Sequence, residues 1–161
     1  MSRYVVIWRH ADAGDPLPDR DADFARPLSA LGRSQAAGVG RWLASRLPAP
    51  WRVLSSPAPR ARQTAAALTP DAAIERLLEP DSSLDAYGQV LEQALAQSRD
   101  SIVLVGHQPF VGALAGRLLG VGDGGLSVAK ASCWCFRSRA GGRAWRLDAV
   151  MHPDLVEPTG R

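Results

Sequence analysis

Two short runs of almost wholly apolar residues each stop abruptly at a histidine. Tyr4-Val5-Val6-Ile7-Trp8 ends in Arg9-His10, and Ile102-Val103-Leu104-Val105-Gly106 ends in His107. Continuous apolar runs of this length are the pattern of strands buried on both faces of a parallel sheet. Such strands confine the chain to folds that sandwich a sheet between helices. In open sheets of that kind, ligand sites form beyond the carboxyl ends of the strands. The chain has three histidines, and two of them fall at such ends. A single histidine there is as readily a hydrogen-bonded structural residue. A pair, one preceded by arginine, points to a site that handles an anion.

The rest of the chain alternates strands and helices. A polar, proline-bearing loop from Ala11 to about Pro27 follows the first strand, and loops of that length are usually functional or mobile. Ser29 reads as a helix N-cap, with apolar positions at helical spacing through Leu31, Ala36, Val39, Trp42, Leu43 and Leu47, and Pro48 and Pro50 as the stop. Trp51–Leu54 is a second strand ending at Ser55-Ser56-Pro57. Helices are expected over Pro59–Leu68, Leu84–Ala96 and Pro109–Leu119, with Pro109 in a first turn. Ala72–Glu75 is at best an edge strand. Ala131–Arg137 and Ala144–Val150, joined by Ala140-Gly141-Gly142, form a terminal hairpin. This pattern predicts an α/β fold with helices on both faces of a mostly parallel sheet. At 161 residues the chain fits one domain, residues 1–161.

Composition narrows the function. A hydrophobic share of 46% and a charged share of 22% are those of an ordinary globular protein. No apolar window is long enough for a membrane span, and the first residues lack a signal-peptide layout, so the cytoplasm is the expected compartment. The net charge is +3, but the arginines are scattered rather than striped, so nucleic-acid binding is not expected. Cys133 and Cys135 would share one strand face as core thiols, since no second ligand cluster accompanies them for zinc.

A third polar element joins the two histidines. Ser55-Ser56-Pro57-Ala58-Pro59-Arg60-Ala61-Arg62-Gln63-Thr64 runs from a strand end into a helix start. A helix start offers free N–H groups and a positive dipole end to an anion, and Arg60 adds a bidentate guanidinium. Arg62 reads as a solvated helix residue. Together, Val6-Ile7-Trp8-Arg9-His10, the Ser55–Thr64 segment and Val105-Gly106-His107-Gln108-Pro109 resemble the histidine phosphatase superfamily, in the same order. The small size, Arg26-Pro27-Leu28-Ser29 leading to Gly32, the absence of a cap insertion and Met151-His152-Pro153-Asp154-Leu155 resemble its SixA-type phosphohistidine phosphatase branch.

The resemblance implies a phosphoglycerate mutase-like three-layer sandwich. It implies that His10 is the nucleophile of a covalent phosphohistidine intermediate, with Arg9, Arg60 and His107 as the other catalytic residues lining the phosphate pocket. Arg26 would bind substrate from the first long loop. No metal or cofactor is implied. Neutral imidazole is a competent nucleophile near pH 7, provided its second nitrogen donates to a carbonyl. The chain departs from the superfamily pattern at Ala11, where glycine is commonest. It also lacks a recognisable carboxylic acid for protonating an ester leaving group; Glu79, Asp12 and Asp15 are the candidates. The P–N bond of phosphohistidine needs no such acid. The expected partner is therefore a phosphohistidine-bearing phosphotransfer or phosphocarrier protein, met by a monomeric enzyme. A phosphatase of small phosphate monoesters is the alternative, and a catalytically silent phosphate-binding module a further one.

Overall fold

The computed structural model describes residues 2–122, 124–138 and 144–156. Its strands, β1 (Tyr4–Arg9), β2 (Trp51–Ser55), β3 (Ala73–Ile74), β4 (Ser101–Gly106), β5 (Cys133–Ser138) and β6 (Trp145–Met151), make one sheet of order β3-β2-β4-β1-β5-β6. The first four strands in that order are parallel, and β5 runs antiparallel to both of its neighbours. The helices are α1 (Arg20–Phe24), α2 (Ala30–Arg46), α3 (Pro59–Ala66), α4 (Leu84–Gln97) and α5 (Phe110–Leu119).

Strand pleating decides the layers. Side chains alternate across a strand, so Val5 and Ile7 of β1 face one way and Val6 and Trp8 the other. Val5, Ile7, Ile102 and Leu104 pack against Tyr87, Val90, Leu91 and Ala94 of α4 and Val111, Leu114 and Ala115 of α5. Val6, Trp8, Val103 and Val105 pack against Val39 and Leu43 of α2 and Ala61 and Ala65 of α3. Every residue of β4 is buried, which explains why Ile102–Val105 is apolar throughout; the one polar side chain, Ser101, donates its hydroxyl to Pro48 O at 2.6 Å. Cys133 and Cys135 join the second of these clusters as free thiols on one strand face. No helix among the described residues is long and apolar enough to cross a membrane.

Several local expectations shift. The loop after β1 contains α1, five residues that carry no apolar stripe and are capped by Asp19 Oδ1 accepting from Ala22 N–H at 2.8 Å. Leu31 is 60% exposed and not part of the α2 stripe. Its neighbour Gly32 turns inward against the loop, which leaves Leu31 about 100° round the helix and facing out. Leu47 is buried but caps α2 from outside its last turn, and Pro109 precedes α5 as its cap. The Ala140-Gly141-Gly142 turn lies outside the described residues.

Gly32 sets how closely α2 approaches the loop that follows His10. Ser29, the α2 N-cap, takes the Gly32 N–H on its Oγ at 3.0 Å and donates its own N–H to Asp12 O at 3.0 Å. A Cβ on Gly32 would fall 1.9 Å from that same Asp12 oxygen. Backbone against backbone leaves no flexible atom to yield. Gly32→Ala is expected to cost about 1–3 kcal/mol or more and to lower activity more than a mutation of equal cost elsewhere, because the displaced loop carries the site. Urea midpoints measured beside turnover check this.

Candidate active site

Sheet order brings the three polar motifs together. β4 lies between β2 and β1, and Arg9 pairs with Gly106 while Ser55 pairs with Val105. His10, Ser56 and His107 therefore leave three adjacent strands at the same edge. His152 leaves β6, two strands beyond β1 and so roughly 10 Å away; it stays outside this cluster.

The rings of His10 and His107 stand 5.1 Å apart at 51°. His10 Nδ1 lies 2.8 Å from Ala11 O. A carbonyl only accepts, so Nδ1 carries the hydrogen and Nε2 keeps its lone pair. Burial, with the charges of Arg60, Arg9 and Arg26, pushes the His10 pKa down to about 3. His107, 3% exposed, is pushed by burial, by His10 and by the same arginines down to about 2. Both rings are neutral near pH 7. An imidazole in the His10 state can attack phosphorus without a separate base.

The arginines line the same space. Arg60 is 4% exposed; its Nη1 donates to Asp23 O at 3.0 Å and Phe24 O at 3.2 Å, the carboxyl end of α1. Arg9 Nη1 donates to Val128 O at 2.8 Å. The Nε groups of both are buried without a partner among the described residues, and buried N–H groups rarely stay unpaired; an anion in the pocket would supply the acceptor. Arg26 pairs with Asp23 at 2.9 Å and donates to Ala13 O and Gly14 O, while its charge still reaches both histidines.

Several further residues hold this arrangement. Thr64 Oγ1 accepts from Ala11 N–H at 3.0 Å and donates to Arg60 O at 2.7 Å, so one hydroxyl ties the neighbour of His10 to the arginine helix. Gln63 Oε1 accepts from Leu28 N–H at 2.7 Å. Tyr87 Oη accepts from His107 N–H at 3.1 Å and donates to Leu78 O at 2.9 Å. Ala131, at φ +63°, donates its N–H to His10 O at 3.1 Å. The Gln63-Thr64 pair was visible in the motif without a role. Tyr87 reads in sequence only as a member of an apolar helix stripe. The Ala11 methyl is buried with Leu28, Ala36 and Ala131, so it packs rather than crowding the pocket.

The candidate acids divide. Asp12 bonds Ser29, Lys130 and Gly14, and the Ser29 and Lys130 contacts hold its pKa down to about 2; it stays ionised and occupied. Asp15 is exposed. Glu79 is half-buried, has no side-chain partner among the described residues, and follows Leu78, whose carbonyl is tied through Tyr87 to His107.

The neutral histidines link the site to acid stability. Their folded pKa values lie below the ordinary value of about 6.5, so protons bind preferentially to the unfolded chain. The stability they contribute is present above about pH 6.5 and is lost as pH falls toward 3. Unfolding free energy is expected to drop by about 2 kcal/mol per histidine between pH 7 and 5, before carboxylates titrate. Urea unfolding at the two pH values, with His107→Asn showing about half the drop, tests the assignment.

The model of the histidine phosphatase superfamily, branch 1, matches residues 5–85. An uncharacterized protein of Mycobacterium tuberculosis is 37% identical over 127 residues, 76% of each chain. The solved structure of a putative phosphohistidine phosphatase SixA from Agrobacterium tumefaciens superposes with a TM-score of 0.76 at 26% identity, over 94% of this chain and 99% of that one. A mycobacterial glucosyl-3-phosphoglycerate phosphatase shares the fold, with a TM-score of 0.72 at 18% identity over 92% of this chain and 98% of that one. With the strand-end histidines, the Ser55–Thr64 segment and the layered fold in place, the chain belongs to the histidine phosphatase superfamily, as a SixA-like phosphatase.

Proposed function

We propose that the protein removes phosphate from phosphohistidine on a partner protein, through a covalent intermediate on His10. The free, unprotonated Nε2 of a buried histidine among partly unpaired arginines carries this reading. In the first step the Nε2–P bond forms and the substrate P–N bond breaks. The electron pair stays with the departing imidazole, which leaves neutral if its other nitrogen is protonated. Water then attacks phosphorus, the P–Nε2 bond breaks, and inorganic phosphate leaves. Arg9, Arg60 and Arg26 balance charge on the equatorial oxygens throughout, which is most of what phosphoryl transfer requires.

The choice of phosphohistidine rests on the acids. Asp12 is held ionised by its hydrogen bonds, and Asp23 is occupied by Arg26 and Leu17 N–H. A P–N bond needs neither. The resemblance of the fold to the Agrobacterium protein described as a phosphohistidine phosphatase supports the same substrate class. A second reading follows from Glu79, a half-buried carboxylate with no side-chain partner among the described residues: as a general acid it would suit small phosphate monoesters. Wild type, His10→Ala and Glu79→Gln should be compared on a phosphohistidine-bearing protein and an aryl phosphate, without added metal. Fast release from phosphohistidine, unchanged by Glu79→Gln and absent in His10→Ala, is expected. Better ester turnover that collapses in Glu79→Gln would replace this substrate with the ester.

A further inference from the structure

His107 presents one nitrogen to the pocket, and what that nitrogen offers depends on where the other one sends its bond. Nε2 lies 2.8 Å from Ser56 Oγ. The side-chain Nδ1 has no partner among the described residues, and the backbone N–H is already fixed by Tyr87 Oη at 3.1 Å.

Ser56 is fully buried. Its Oγ accepts the Ala58 N–H at 3.2 Å, and its only other contact among the described residues is His107 Nε2. A serine hydroxyl has one hydrogen to give. If Nε2 carried the ring hydrogen, Oγ would receive two hydrogen bonds and its own hydrogen would be buried without an acceptor, which is costly. If Ser56 donates to Nε2 instead, the Ser56 hydroxyl and His107 Nε2 are both satisfied. The neutral ring must then carry its hydrogen on Nδ1.

We infer that Ser56 is a positioning residue that fixes His107 as the Nδ1–H tautomer, so that a neutral histidine donates a hydrogen bond to the transferring phosphoryl group. The inference rests on the phosphatase reading of the site. It makes His10 and His107 the same tautomer in opposite roles. His10 Nδ1–H is spent on Ala11 O, leaving a lone pair for attack. His107 Nε2 is spent on Ser56, leaving a donor. The opposite tautomer of His107 would aim a second lone pair at an anion that already meets the lone pair of His10, and would repel it.

Nitrogen NMR of histidine-labelled protein at pH 7 reads the tautomer directly, without substrate. Wild type is expected to show His107 protonated at Nδ1 and unprotonated at Nε2, with Nδ1–H shifting on addition of inorganic phosphate. Ser56→Ala should show mixed tautomers and lose about 10- to 100-fold in kcat, the range found when the partner that orients a metal-bound histidine is removed, with a smaller change in KM. Ser56→Thr, which keeps the hydroxyl, should restore both. Protonation at Nε2 in wild type overturns the inference even if Ser56→Ala fails to fold. An unaltered tautomer in folded Ser56→Ala also overturns it. Wild type with the expected tautomer and phosphate response, but no turnover of phosphohistidine, supports the inference and counts against that substrate alone.

Discussion

His10→Asn is expected to abolish turnover, by at least about 10⁴-fold, while inorganic phosphate still binds. Loss of a nucleophile that acts as one unit with its pocket typically costs up to about 10⁶-fold. Asparagine fills similar space and can keep a donor near Ala11 O, but it has no lone pair suited to attack on phosphorus. Binding persists because the positive charges come from elsewhere: Arg9 from the end of β1, Arg60 from α3 and Arg26 from the loop beyond α1. The same experiment can trap the intermediate. A P–N bond survives alkali and breaks in acid, so label from a phosphorylated substrate should stay on wild-type protein through an alkaline quench. It should wash off in acid and never appear on His10→Asn. Label on the mutant, or turnover within tenfold of wild type, would remove His10 from the chemistry.

The strand-end histidines were legible because the features that place them are local. An apolar run predicts a buried strand, and the residue after it sits at the sheet edge. That logic reached His10, His107 and the Ser55–Thr64 segment, and the helix cap at Ser29 was written in a single residue. Which strands are neighbours was not legible. A period-two or all-apolar pattern says that β2, β4 and β1 are strands, not that β4 separates the other two, yet this order is what brings Ser56 to His107. Tyr87 shows the same limit. Its ring belongs to the α4 stripe, and its hydroxyl acts only because the strand that leads into His107 packs beneath that helix. The α1 segment has a capping residue but no stripe. Its contribution is two carbonyl oxygens, which no side-chain pattern encodes.

Those carbonyls frame the second large effect. Arg60→Ala is expected to lower kcat by about 10³-fold or more, in the range of arginines that stabilise phosphoryl transfer, and to change stability by less than about 1 kcal/mol. The small stability effect follows from how Arg60 is housed. It donates to Asp23 O and Phe24 O, but its Nε is buried unpaired among the described residues and its charge faces Arg26 and helps to keep both histidines neutral. Removing it frees two carbonyls to take up water and relieves repulsion among like charges, two effects of opposite sign. The pH dependence should move as well: without Arg60, the His10 pKa rises toward its ordinary value, and the acid loss of stability between pH 7 and 5 becomes shallower. Arg60→Lys keeps a charge but loses the planar fork, so it should recover only part of the rate. Activity loss matched by an equal loss of stability would make Arg60 an anchor for α1. Full activity in the lysine variant would reduce it to a point charge. A lost rate, kept stability and a raised His10 pKa together require an arginine held ready for an anion.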